Sequence, residues 1–165
     1  LASINTHSNG FFIQSRVGQD GKLFKVIKIR TMRPTKQPGT TVTKRGDPRI
    51  TRLGAFFRRT KIDELPQLWN VLIGQMSFVG PRPDVPGFAD RLTGEEREVL
   101  KLRPGITGPA TLKYRDEEEL LAAQSDPEKY NREVIFPDKV KINLDYIRNW
   151  SLRKDISYIW QTVFK

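Results

Sequence analysis

Apolar residues come in short bursts along this chain, and their spacing changes from burst to burst. Phe11, Phe12, Ile13 and Val17 precede Asp20-Gly21, and Phe24, Val26, Ile27 and Ile29 follow it. Asp-Gly between two apolar runs is a strong β-hairpin signal, so two strands are expected here. Gly18 and Gly21 suit that turn, and neither a Walker nor a dinucleotide fingerprint accompanies them. Further on the period becomes helical. Asp47-Pro48 supplies an N-cap and a first helical position for a helix carrying Ile50, Leu53, Phe56 and Phe57 among Arg49, Arg52, Arg58 and Arg59. Such a helix faces either a core or a membrane surface, with phenylalanines in the lipid and arginines on headgroups. Thr60–Asp63 reads as a capping box with Asp in place of the usual Glu, and Leu65, Leu68, Trp69 and Leu72 form the next stripe, ending near Gly74.

The rest of the chain predicts short helices between irregular segments. Residues 33–47 are polar and rich in Pro, Gly and Thr, which predicts a loop. The stretch SFVGPRPDVPG holds too many prolines for a helix or a central strand and predicts a rigid shaped loop. Thr93-Gly94-Glu95-Glu96 opens a helix through a T-x-x-E box, and Arg103-Pro104-Gly105 ends it. Residues 105–110 are expected to be irregular and Asp116–Gln124 helical and exposed. Pro137 starts a helix with Val140, Leu144 and Ile147 inward, and Ser151 caps a last helix bearing Ile156, Ile159, Trp160 and Val163. No repeat and no internal boundary is visible. One α+β domain over residues 1–165 is expected, a small N-terminal hairpin followed by several short helices.

Composition narrows the chemistry. The 165 residues include no Cys and one His, His7, which excludes a thiol nucleophile, a cysteine zinc site and a histidine metal cage. Acid–base or nucleophilic work falls to carboxylates. No stretch approaches the ~18 apolar residues of a membrane span, and there is no signal-peptide pattern. The net charge of +10 is unevenly placed: residues 1–62 hold 14 Lys and Arg against two acids, Asp20 and Asp47. A polyanion is the natural partner of such a segment, whether nucleic acid, an anionic leaflet or a phosphorylated small molecule.

Asp63-Glu64 is the most informative pair. Adjacent acids at a helix start are explained by the macrodipole alone, worth roughly 0.3–1 kcal/mol. Arg58, Arg59 and Lys61 stand just upstream, however, and such cations keep a carboxylate ionised and also hold phosphates. In a chain without Cys, Asp63 is the available nucleophile for an acyl phosphate, and Glu64 is a candidate ligand for Mg²⁺. Arg82, fixed between Pro81 and Pro83, suits bidentate phosphate recognition or merely faces water at a turn. Arg115, beside the acids at 116–119, reads as an ordinary ion pair. Asp145 and Asp155 read as structural.

Several long blocks carry a resemblance. FFIQSRVGQDGKLFKVIKIRTM, GDPRITRLGAFFRRTKIDELPQLWNVLIGQMSFVGPRP, LRPGITGPA and LDYIRNWSLRKDISYIWQTV are similar, in that order, to the bacterial sugar transferase family, the monotopic phosphoglycosyl transferases. The likeness spans nearly the whole chain. It implies a catalytic domain with amphipathic membrane-surface helices at the cytoplasmic face of the bacterial inner membrane. It also implies a UDP-sugar donor, a polyprenyl phosphate acceptor, UMP release and the first membrane step of glycan assembly. Asp63 matches the family nucleophile that becomes an aspartyl phosphosugar, Glu64 the carboxylate associated with Mg²⁺, and Arg82 the Arg of the Pro-Arg-Pro motif. The basic stretch with Lys28, Arg30, Arg58 and Arg59 is expected to hold phosphates and lipid headgroups, and Arg115 matches loosely an Arg near the nucleotide. Family members carry an N-terminal apolar segment that dips into the membrane, expected here to precede Leu1. The stretch 109–115 departs from the usual pattern, which leaves the sugar open. Two other classes remain in view, a basic nucleic-acid-binding module and an inactive membrane-surface adaptor. The first lacks RNP, KH and zinc-finger signatures, and the second fits poorly with an intact Asp63-Glu64 and Arg82.

Overall fold

The structure is a computed structural model that describes residues 1–34, 43 and 46–164. A short helix α1 (Ala2–Thr6) leads into strands β1 (Phe11–Val17) and β2 (Leu23–Ile29). They pair antiparallel from Phe11 opposite Ile29 to Val17 opposite Leu23, closed by the turn around Asp20-Gly21 as expected. Asp20 and Gly21 both adopt positive φ, which the short polar side chain of Asp and the bare Cα of Gly tolerate. Most of the polar loop expected over 33–47 lies outside the described residues.

The next helix starts later than the sequence suggests. Asp47 caps no helix: its carboxylate accepts from the Arg49 backbone N–H at 3.0 Å and pairs with the Arg49 guanidinium. Ile50 instead bridges to Met32, and Thr51 N–H donates to the Thr31 carbonyl. Helix α2 (Arg52–Thr60) then begins with Thr51, whose hydroxyl accepts from Gly54 N–H at 2.9 Å. The capping box at Thr60 is not formed either. Its hydroxyl back-bonds to the carbonyls of Phe56 and Phe57, Lys61 turns left-handed, and a single 3₁₀ turn (Ile62–Glu64) follows before helix α3 (Gln67–Leu72).

Helix α3 inverts the usual pattern. Its polar Gln67 and Asn70 are 2% and 1% exposed, while Leu68, Trp69 and Leu72 face outward, Leu72 at 75%. Asn70 explains the inversion. Its amide donates to the Lys25 carbonyl and to Gln75 Oε1, both at 2.8 Å, and its Oδ1 accepts from Ile27 N–H. The helix therefore docks on the β2 edge through hydrogen bonds and leaves its leucines free.

The segment after α3 contains a strand despite its prolines. Strand β3 (Ser77–Val79) pairs parallel with β4 (Gly105–Thr107), a second small sheet that the sequence reading took for irregular loops. The remaining elements are two 3₁₀ helices, Ala89–Arg91 and Gly94–Lys101, the second without a side-chain cap from Thr93, then α4 (Pro109–Lys113), α5 (Glu117–Ala122), α6 (Pro127–Tyr130), a π-helical turn (Asn131–Ile135), α7 (Phe136–Arg148) and α8 (Leu152–Phe164). The main core gathers Val17 from the hairpin, Ala89, Leu92, Val99 and Leu100 from the middle, and Val140 from α7, with Leu144 and Ile147 packed alongside as expected. A smaller cluster joins Leu121 and Ile135 under Tyr114 and Tyr130. Ser151 caps α8 by accepting from Lys154 N–H, and none of the residues of α8 is buried. Asp155 is structural as read, accepting from Tyr146 and Trp150, and Asp145 accepts from Asn149.

Candidate active site

The Asp63-Glu64 pair sits in the 3₁₀ turn between α2 and α3, and that turn packs against β2 and α2. Both carboxylates are buried. Glu64 Oε1 accepts from Lys28 Nζ at 3.0 Å and from Arg82 Nη2, and Oε2 takes a longer bond from Arg82 Nη1 at 3.4 Å. Lys28 arrives from β2 and Arg82 from the Pro-Arg-Pro loop that follows β3, so three distant stretches meet on one carboxylate. Burial alone would raise the Glu64 pKa, but Arg82 and Lys28 outweigh it and hold the group well below the usual carboxylate range. Arg82 is correspondingly held in its charged form by Glu64. Lys28 responds the other way: burial and Arg82 outweigh Glu64 and bring its pKa down to about 8. The cluster therefore fixes Glu64 as an anion and leaves Lys28 the more easily discharged partner.

Asp63 is 7% exposed, and its Oδ1 is buried with no hydrogen-bond partner among the described residues. Burial and the neighbouring Glu64 charge push its pKa above the ordinary aspartate value, against the pull of Lys28, Arg58 and Lys61. This corrects the expectation that the upstream cations dominate. Arg58 is bound to Glu118 of α5, and Thr31 accepts a long bond from it, so its charge acts on Asp63 from a distance. A carboxylate that is dehydrated and unbonded at one oxygen is a stronger base and nucleophile than one satisfied by donors.

The other expected residues lie in other settings. Arg59 is exposed. Arg30 donates to the carbonyls of Asn9 and Phe11 and stacks over the Phe12 ring, which ties the N-terminal segment to the hairpin. Arg115, expected to form an ion pair, donates to the Gln161 carbonyl at 2.9 Å and so holds α8. Among the described residues no three His, Cys, Asp or Glu converge as a ready metal cage. Two adjacent carboxylates with an unpartnered oxygen nevertheless fit Mg²⁺, which is commonly held by one or two carboxylates together with substrate phosphates.

The family profile described as "Bacterial sugar transferase" matches residues 1–165. The chain belongs to the bacterial sugar transferase family. It is 40% identical over 163 residues to the UDP-glucose:undecaprenyl-phosphate glucose-1-phosphate transferase of Escherichia coli (strain K12), covering 93% of this chain and 32% of that one. It is 34% identical to the UDP-galactose-lipid carrier transferase of Erwinia amylovora, covering 90% of this chain and 31% of that one. A third relative, the UDP-glucose:undecaprenyl-phosphate glucose-1-phosphate transferase of Caulobacter vibrioides, is 37% identical over 92% of this chain and 54% of its own length. This sugar transferase chain thus spans about a third of the length of the first two relatives and about half of the third.

Proposed function

We propose that this chain transfers a sugar-1-phosphate from a UDP-sugar to polyprenyl phosphate through a covalent intermediate on Asp63. The observation that carries the reading is the pairing of a buried, unpartnered Asp63 Oδ1 with a Glu64 already neutralised by Lys28 and Arg82. The names of the relatives supply the substrate class, with both glucose and galactose among the sugars.

In the first half-reaction an Asp63 oxygen attacks the β-phosphorus of the UDP-sugar. The new oxygen–phosphorus bond forms as the bond from that phosphorus to the bridging oxygen breaks, and UMP leaves with the electron pair. In the second, a phosphate oxygen of the acceptor attacks the same phosphorus and the aspartyl bond breaks. The products are polyprenyl-diphosphate-sugar and a regenerated Asp63 carboxylate. Arg82 and Lys28, already aimed at Glu64, supply positive charge where the leaving phosphate gathers negative charge. Glu64 would hold Mg²⁺, which would supply charge to neutralise the leaving group.

Two exposed apolar surfaces support work at a membrane. Leu65, Leu68, Trp69, Leu72 and Ile73 crown α3, and Trp160, Val163 and Phe164 line α8, which packs against β3. Trp, Phe and Leu on short helices of a basic domain suit an anionic interface. No helix among the described residues is long and apolar enough to cross a membrane. On this proposal the apolar helices lie on the cytoplasmic leaflet of the bacterial inner membrane, where the acceptor phosphate is presented. A nucleic-acid role draws less support, because Lys28, Arg30, Arg49 and Arg58 of the basic segment are engaged within the fold.

The test uses a UDP-sugar panel labelled at the β-phosphate, with Mg²⁺ and polyprenyl phosphate. The parent chain should release UMP and carry label, with ping-pong kinetics, and D63N should carry none. Full labelling of D63N overturns the nucleophile, and no UMP release from any sugar donor overturns the reaction.

A further inference from the structure

The two ends of the Pro-Arg-Pro loop are held by different strands. Upstream of Arg82, Gly80 N–H donates to the Thr107 carbonyl at 2.9 Å and Gly105 N–H donates to the Pro81 carbonyl at 2.8 Å, so β4 fixes that side. Downstream, β1 does the work. Val17 N–H donates to the Asp84 carbonyl at 2.9 Å, and Arg16 Nη1 donates to the Pro83 carbonyl at 3.3 Å. Consecutive residues of β1 thereby grip consecutive carbonyls immediately after Arg82.

Arg16 is itself oriented. Its Nη2 donates to Gln14 Oε1 at 2.8 Å, two residues back on the same strand. Its guanidinium lies close enough to Arg82, Asp84 and Glu64 to feel the charge of each: burial and the repulsion from Arg82 lower its pKa, and Asp84 and Glu64 oppose that shift. No hydrogen bond joins Arg16 to Asp63 or Glu64 among the described residues. An arginine half-buried beside another arginine is unfavourable unless something fixes both, and here the fork of one guanidinium spans a side chain and a backbone carbonyl.

We propose that Arg16 is a positioning residue: by holding the Pro83 carbonyl it keeps Arg82 seated on Glu64. The proposal rests on the transferase reading above for its effect on turnover, and on geometry alone for its effect on Arg82. The hairpin thereby governs both cations of the site, Lys28 directly from β2 and Arg82 remotely through Arg16 of β1.

The experiment combines turnover with structure in the full chain. R16M should lower kcat for UMP release by about tenfold to a hundredfold, the loss expected when a catalytic group is displaced by about 1 Å. Its KM for the UDP-sugar should stay within about threefold, since Arg16 does not touch substrate. R16K, which keeps a donor for Pro83 but not the fork to Gln14, should recover part of the rate. In an R82M background R16M should add almost nothing, because its effect passes through Arg82. A cost that multiplies fully with R82M, or a parent-like kcat accompanied only by a lower Tm, overturns the proposal. A crystal structure of R16M supplies a readout that needs no activity: Arg82 should leave Glu64, and Arg82 unmoved would sink the inference. Absence of UMP release by the parent would count against the transferase reading, while this structural comparison would still decide the role of Arg16.

Discussion

Lys28 Nζ stands 3.0 Å from Glu64 Oε1, the oxygen that also accepts from Arg82, and of the two cations only Lys28 can discharge near neutral pH. Its pKa of about 8 reflects burial and the adjacent guanidinium. Turnover is therefore expected to fall on the alkaline side with a midpoint near pH 8. Stability moves oppositely. Between about 8 and the ordinary lysine value of 10.5 the unfolded chain retains a proton that the folded chain has released, so the contribution of Lys28 favours folding as pH rises through that window. K28R should carry the alkaline limb upward. An unshifted limb in K28R assigns that limb to another group.

Gly105 admits no side chain. A Cβ there would lie 2.2 Å from Gly80 N and 2.6 Å from the Thr107 carbonyl oxygen, both backbone atoms that cannot swing aside. G105A should separate β3 from β4, cost roughly 1–3 kcal/mol of stability as overpacking does, and lower UMP release together with it. Chemical denaturation and the release assay on the same sample check both parts.

Asn70 connects α3 to β2 by two hydrogen bonds, with a third to Gln75, from a side chain that is nearly inaccessible to water. N70A leaves the Lys25 carbonyl and Ile27 N–H of β2 without this partner, at about 0.5–1.5 kcal/mol for each hydrogen bond lost. Thermal melts should show a clear drop in Tm, and amide exchange should quicken along β2.

The outward residues of α3 should behave as a membrane face and contribute little to the fold. W69E together with L72E should abolish co-sedimentation with phosphatidylglycerol vesicles while shifting stability by no more than about 0.5 kcal/mol per site, as surface changes generally do. Retained vesicle binding would point to α8 or the basic segment as the dominant contact.

How legible this was in the sequence depended on what fixed each element. The hairpin was readable because Asp20-Gly21 imposes a local turn between apolar runs, and α7 because Pro137 and the 140/144/147 spacing agree. The start of α2 was misplaced because Asp47-Pro48 looks like a cap locally, whereas pairing of residues 50–51 with residues 31–32 takes those residues first. The β3–β4 sheet was missed because its strands are three residues each and set among Gly and Pro. At the site, Asp63, Glu64 and Arg82 stood out by residue type and setting. Arg16 did not, since nothing in Gln-Ser-Arg-Val shows that a carbonyl 67 positions later is its partner. Nor did periodicity show which face of α3 turns inward, because a stripe of leucines reads the same whether it meets protein or lipid.

Thr107 and Thr162 join hydroxyls at 2.5 Å, so the strand that steadies Arg82 from upstream is itself braced by the last helix, while β1 steadies it from the other end of the chain. During synthesis the hairpin must wait for Thr162, made long after it, before this guanidinium has its full support. A nascent chain still short of α8 would hold every reactive side chain and yet lack a finished grip.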